Sequence, residues 1–212
     1  MNLDHIHWLG HATFRIEDGR SQIYVDPWKL PDGSPKADVI LITHGHYDHY
    51  SEDDIARVEK PETVFAAPSD LVAKLTKKKG TRAVTAARAG ESFKAGTLEV
   101  EAKPAYNMNK EFHQKKEGWV GYVLTLSNGQ RIYHTGDTDA IPEMDNVKAD
   151  VALMPCGGTY TMTHAEVAAA ANRFKPAVLI PMHWGDIVGS REDAESVAKA
   201  FTGQTVIKDV EK

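Results

Sequence analysis

One cysteine, Cys156, occurs among 212 residues, so no disulfide can form within the chain. A reducing, cytoplasmic setting is the expectation that follows. Long apolar runs are missing too, and none approaches the ~18 residues a membrane span needs. The opening "MNLDHIHWLGHATF" has no basic region leading into an apolar one, so no signal peptide is expected. Positive charge is not in excess. A net charge of −5 gives no general attraction to phosphate backbones, so no nucleic-acid partner is expected. The densest basic points, Lys77–Lys79 and Lys115–Lys116, read as solvated surface. No repeat, low-complexity tract or linker divides the chain, and its length suits one domain over 1–212.

What is present is ordinary globular material, 42% hydrophobic and 26% charged. The first third alternates polar and apolar residues in "HIHWLG", "TFRIED" and "SQIYVDP", which predicts strands. "ADVILITH" is a continuous apolar run, as in a strand buried on both faces. A helix follows from Ser51, with Asp54 as an acidic variant of the capping box and Ile55 and Val58 as its apolar stripe. "VFAAP" reads as a strand, "SDLVAKLTKKKG" as a helix stopped by Gly80, and "TLEVEAKPA" as a strand. "VGYVLTLSNGQRIYHTGD" is a hairpin around Asn128-Gly129, and "ADVALMPCGG" and "PAVLIPMHWG" are buried strands. Thr163 and Glu166 form a capping box for "THAEVAAAANRF"; "SREDAESVAKAF" is the last helix and "QTVIKD" a closing strand. Two runs of strands, each followed by helices, suggest two sheets with helices outside. Residues 104–118 have no period and form a long polar loop carrying aromatic residues.

Chemistry concentrates in "THGHYDHY", Thr43 to Tyr50. His44 and His46 are two apart, and in extended backbone such side chains point the same way. They can hold one ion. Asp48 and His49 follow as the chain turns and can serve a second. Imidazole and carboxylate sets of this kind suit zinc, with manganese or iron acceptable. "IYHTGD" and "LIPMHWG" also place ligand-type residues just past strands.

These residues resemble the metallo-β-lactamase-fold hydrolase superfamily, whose signature is His-x-His-x-Asp-His. "WLGHATF", "YVDPW", "AYN…FH", "GWVGYVL", "YHTGDTD", "LMPCGGTYTM" and "IPMHWG" follow in the expected order. The chain looks most like the branch that includes L-ascorbate-6-phosphate lactonase and relatives known as metal-dependent hydrolases. The resemblance implies an α/β (α+β) four-layer αββα sandwich with a two-metal site at one edge. It implies His44, His46 and a later histidine on the first ion, Asp48, His49 and His183 on the second, and Asp137 bridging. The third ligand of the first ion is His113 or His134. His134 lies three residues before Asp137, so both reach the ions only if Thr135-Gly136 bends sharply, whereas His113 is free in its loop. That favours His113, with His134 behind the site. A loop supplying a ligand together with aromatic residues would also shape the pocket.

Asp26 is expected to orient a ligand histidine or the loop backbone. His11 is left open between a site role and packing. His5 and His7 share a solvent-facing strand face, and Cys156 is a small core residue. Two ions would share a bridging hydroxide that attacks a carbonyl carbon or phosphorus, with Asp48 or Asp137 accepting its proton. The candidates for a general acid are His164, Tyr106 and Tyr160. Asn107 could donate to an oxyanion, and backbone N–H groups of "GGTY" could contact phosphate or carboxylate. The reading is a binuclear hydrolase of a small-molecule ester or lactone. The competing readings are a phosphodiesterase acting on a cyclic nucleotide, a nucleic acid or a phospholipid-like substrate, and a metal-binding protein without turnover. No membrane partner is expected, and the oligomeric state stays open, a homo-oligomer included.

Overall fold

The computed structural model describes residues 1–77 and 84–212. Its first sheet contains β1 (Ile6–Gly10), β2 (Thr13–Asp18), β3 (Ser21–Val25), β4 (Val39–Leu41), β5 (Val64–Pro68) and β6 (Val84–Ala87), paired in that order. β1 to β3 are antiparallel, and β3 to β6 run parallel. The second sheet contains β7 (Ser92–Ala95), β8 (Leu98–Pro104), β9 (Val120–Thr125), β10 (Arg131–His134), β11 (Val151–Pro155), β12 (Val178–Met182) and β13 (Gln204–Thr205). β7 to β10 are antiparallel, and β10 to β13 parallel.

Helices α1 (Glu52–Val58) and α2 (Ser69–Lys77) belong to the first sheet, and α3 (His164–Phe174) and α4 (Arg191–Ala200) to the second. A small apolar cluster of Ile40, Phe65, Ile55 and Leu71 sits between the first sheet and its helices. The larger core unites Phe14, Ile23 and Leu41 of the first sheet with Tyr122, Leu124 and Ile132 of the second, and continues to Val167 and Val197 under α3 and α4. The molecule is therefore the expected αββα sandwich.

Local differences from the sequence reading have physical causes. Ser51 caps α1 by accepting from Asp54 N. The Asp54 carboxylate does not reach back to it. It accepts instead from Lys29 N at 2.9 Å and Leu30 N at 3.0 Å, stapling the loop after β3 to the helix. The capping box of α3 forms as expected, both halves present. β6 and β7 had no strong apolar signal because they are edge strands with one partner each. The closing strand shrinks to two residues. The helix stop at Gly80 lies outside the described residues, as do Lys78 and Lys79. Among the described residues no helix is long and apolar enough to cross a membrane.

Parallel strands deliver their C-terminal ends to a common rim, where ligand sites gather in α/β sheets. β3 leads into Asp26, β4 into Thr43–His44, β10 into Asp137 and β12 into His183. The two sheets are tied there by Tyr122 Oη donating to Ile42 O at 2.7 Å and Val120 N donating to Thr43 O at 3.3 Å.

Candidate metal centre

Thr43 and Asp26 set the orientation of the histidine loop. Asp26 accepts from Thr43 N at 2.7 Å and Thr43 Oγ1 at 2.6 Å. With that hydroxyl proton directed at Asp26, Thr43 Oγ1 is left to accept from His44 Nδ1 at 3.0 Å. His44 Nε2 then carries a lone pair. It lies 3.0 Å from His46 Nδ1, and His113 Nε2 lies 3.2 Å from the same atom. Tetrahedral zinc with bonds of about 2.0–2.1 Å spaces its nitrogen ligands roughly 3.3 Å apart, so both distances match those between neighbouring ligands of one ion. Burial, followed by the neighbouring His49, holds His44 well below the usual imidazole range, and burial also lowers His46. Both imidazoles are thus neutral near pH 7, as metal ligands must be.

A second group lies beside the first. His11, Asp48, His49 and His183 offer ligand atoms within 4.8 Å of one another. Asp137 stands between the groups, 4% exposed. Its Oδ2 is 3.3 Å from His113 Nε2 and 3.1 Å from His183 Nε2, and its Oδ1 is 3.4 Å from His49 Nε2. Burial would raise Asp137, but His183 and His49 beside it outweigh burial and keep the carboxyl well below the usual range. Burial would also raise Asp48, yet the His11 hydrogen bond and the His49 charge bring it down to about 2. His49 donates from Nδ1 to Asp26 Oδ2 at 2.7 Å, which leaves Nε2 facing Asp137. Burial opposes its protonation, but Asp137 and Asp26 on either side raise it well above the ordinary value, so a cation binding at Nε2 would have to displace a proton there.

These groups fit a metal on an observation independent of spacing. His49 Nε2, His183 Nε2 and Asp137 Oδ1 are buried without hydrogen-bond partners. Orphaned buried polar atoms are costly, and three converging on one place mark a position for a cation. A third grouping, Asp26 with His44 and His49, fits less well because both Asp26 oxygens are already engaged.

Backbone strain gathers here as well. His11, Asp26, His113 and His183 have φ between +49° and +59°, a region that side chains rarely adopt. Such strain persists only where surrounding structure imposes it. His183 N donating to His11 O at 2.8 Å and Asn107 N donating to His113 O at 2.7 Å are two of the constraints.

The other residues expected near the site fall in several places. His134 is fully buried behind it, with Nε2 on Ala12 O at 2.8 Å and Nδ1 accepting from Gly136 N at 3.2 Å. Gly136 does bend, at φ +62°, but the His134 ring stays turned away from the centre. Tyr160 lines the cleft above the centre. His164 does not; it is half exposed and faces Asp193 at 3.3 Å, because the α3 start meets α4 there. Tyr106 is turned away too, its hydroxyl 2.9 Å from a Glu143 carboxylate oxygen. Asn107 is not a free oxyanion donor. Its amide donates to Phe112 O at 3.0 Å and Tyr160 O at 2.7 Å and so knits the His113 loop in place. In "GGTY", Gly158 N donates to Met162 O and Thr159 N to Gly157 O, so those N–H groups are not open to an anion.

His11 is the residue sequence reasoning left undecided. It is 2% exposed, bonds Asp48 Oδ2 through Nε2 at 3.0 Å, and has its ring 3.8 Å from that of His183. The signal was the glycine before it: Gly10 and His11 both take positive φ in the β1–β2 turn. Trp119 was also missed, and its ring lies 4.8 Å from His44.

The β-lactamase superfamily domain matches residues 5–183. The chain is 32% identical over 206 residues to a UPF0173 metal-dependent hydrolase of Caldivirga maquilingensis, covering 91% of this chain and 87% of that one. The chain belongs to the metal-dependent hydrolases of the β-lactamase superfamily. A second UPF0173 metal-dependent hydrolase, from Koribacter versatilis, is 34% identical, with 85% and 84% coverage. Among solved structures, a Parabacteroides distasonis protein crystallised as a candidate metal-dependent hydrolase superposes with a TM-score of 0.83 at 33% identity, over 97% of this chain and 93% of that one. The metallo hydrolase Igni18 of Ignicoccus hospitalis, 24% identical with a TM-score of 0.79 over 98% and 95% of the two chains, shares the fold.

Proposed function

We propose that the hydrolase works with two divalent ions and cleaves a small-molecule ester or lactone. His44, His46 and His113 would hold one ion, and Asp48, His49 and His183 the other, with Asp137 shared. The observation that carries this is the position of Asp137, whose two oxygens lie within 3.4 Å of ligand-type nitrogens from both groups. Zinc suits the donor set, and manganese or iron is compatible with it.

Divalent ions held by these residues would supply Lewis acidity, lowering the pKa of a water and polarising the group under attack. The chain's own residues supply the rest. Asp137 and Asp48 are held ionised, the form a cation requires of its carboxylate ligands, and one of the two is the proposed acceptor of the water's proton. His11 orients Asp48, and Asp26 orients His49, each through one hydrogen bond. Of the three candidate acids, Tyr160 is the one that lines the cleft, with a hydroxyl proton to offer a leaving alkoxide, whereas Tyr106 faces Glu143 and His164 faces Asp193.

The test is metal content with turnover. Purified protein should hold close to two transition-metal ions per chain and hydrolyse members of a panel of lactones, thioesters and bis(p-nitrophenyl) phosphate. A folded preparation that holds none after metal supplementation would remove the binuclear reading. Turnover of the phosphodiester alone would move the assignment to phosphodiesterases.

A further inference from the structure

The cleft above the centre has a volume of about 230 Å³, and its walls differ sharply in chemistry from its floor. The floor is the imidazoles and carboxylates already described. The walls are Tyr47, Phe112, Tyr160 and Ile187. Tyr47, 68% exposed, meets Trp28 edge to face with ring centroids 6.0 Å apart, and Phe112 is 50% exposed, so both rings keep apolar surface open to the cleft. Phe112 and Tyr160 meet edge to face, with ring centroids 5.2 Å apart, and form an aromatic flank.

Charge points the same way. No lysine or arginine lines this cleft among the described residues. Lys110, on the same loop as Phe112, is ion-paired with Asp139, and Lys29 with Asp186. The N–H groups of Gly158 and Thr159, two of the four in "GGTY", donate to carbonyls of their own loop. An anionic tail would find no counter-charge on these walls, whereas an apolar one would cover exposed rings.

From this we infer that the substrate is a neutral ester or lactone bearing an apolar chain or ring, seated against Tyr47, Phe112, Tyr160 and Ile187. The inference rests on the hydrolase reading above and narrows it, setting phosphorylated and carboxylated substrates aside. In the reaction, water oxygen bonds to the carbonyl carbon and the carbon–oxygen bond to the alcohol breaks. The alkoxide takes a proton derived from water, and the acid product gives its own proton to solvent.

The experiment uses zinc-loaded protein and two series. In the first, kcat/KM is measured for p-nitrophenyl acetate, butyrate and hexanoate, for γ-lactones of increasing alkyl length, and for p-nitrophenyl succinate as the anionic-tail control. Values should rise about fourfold per methylene until the cleft is filled, and succinate should fall below butyrate. In the second, calorimetry follows binding of 5-alkyl-2-pyrrolidinones, γ-lactams of similar shape that resist hydrolysis, and affinity should climb with the same slope. Phe112→Ala and, away from the ligand loop, Ile187→Ala should each flatten both slopes, with metal content measured alongside. A flat lactam series, or succinate preferred over butyrate, overturns the inference. If no ester or lactone is turned over while the lactam slope persists, the ester reading fails and the apolar seat stands.

Discussion

Asp26 accepts from Thr43 N, Thr43 Oγ1 and His49 Nδ1, all within 2.7 Å, and is completely buried. Replacing it with asparagine would face an NH2 group against at least one of those donors. Asp26→Asn should therefore weaken metal affinity about 10–100-fold, as loss of a ligand's hydrogen-bond partner does elsewhere; titration against a chelator measures it. His113 and His134 make the complementary pair. His113→Ala removes a nitrogen next to His46 and Asp137 and should drop metal content from two ions to one. His134→Ala should keep both ions but lower stability by about 1–3 kcal/mol, because the Ala12 carbonyl and Gly136 N–H lose their partner. Loss of one ion in His134→Ala with both kept in His113→Ala would reverse the assignment. The four ligand-type residues of "THGHYDHY" were legible from their crowding alone, whereas His113, Asp137 and His183 were reached through resemblance. The role of His11 was not legible, since a lone histidine in a turn looks the same whether it packs or bonds a carboxylate. Nor were the directions of Tyr106, Asn107 and His164, which depend on Glu143, the Tyr160 carbonyl and Asp193, distant in sequence.

The central strands and all four helices could be read from apolar runs and caps, because buried strands and amphipathic helices write their period into the chain. β6 and β7 could not, as "VTAA" and "SFKA" are short and mostly uncovered. Element positions matter most where β9 and β10 carry the chain to Asp137. A Cβ on Gly121 of β9 would sit 2.5 Å from Thr135 O and 2.6 Å from His134 O, and both are backbone. Gly121→Ala should therefore push β9 off the strand end that leads to Asp137, costing about 1–3 kcal/mol and lowering metal retention. Gly129 at the hairpin tip, φ +84°, has nothing within 4 Å of a Cβ. Gly129→Ala should cost roughly 1–2 kcal/mol through backbone strain alone and leave metal content unchanged. Thermal melts with metal analysis on both variants separate strand displacement from simple destabilisation. Removing the Thr163 cap of α3 should cost about 1 kcal/mol in the same melts.

At the scale of the whole molecule, two sheets each turn from antiparallel to parallel pairing and present the ends of their parallel strands to one rim. The first sheet contributes Asp26 and the loop from His44 to His49; the second contributes His113, Asp137 and His183. Each sheet alone supplies only part of either ligand group, so the sandwich has to close before a centre exists. Stability should therefore rise with bound metal, since binding to the folded form alone shifts the unfolding equilibrium. The central claim is that two ions sit on either side of Asp137. Anomalous diffraction from crystals of the zinc-loaded protein, collected across the zinc edge, tests it most directly. Two peaks are predicted, one among His44, His46 and His113 and one among Asp48, His49 and His183, each within bonding distance of Asp137. A single peak with a closed set of four protein ligands, or a peak away from Asp137, would contradict it.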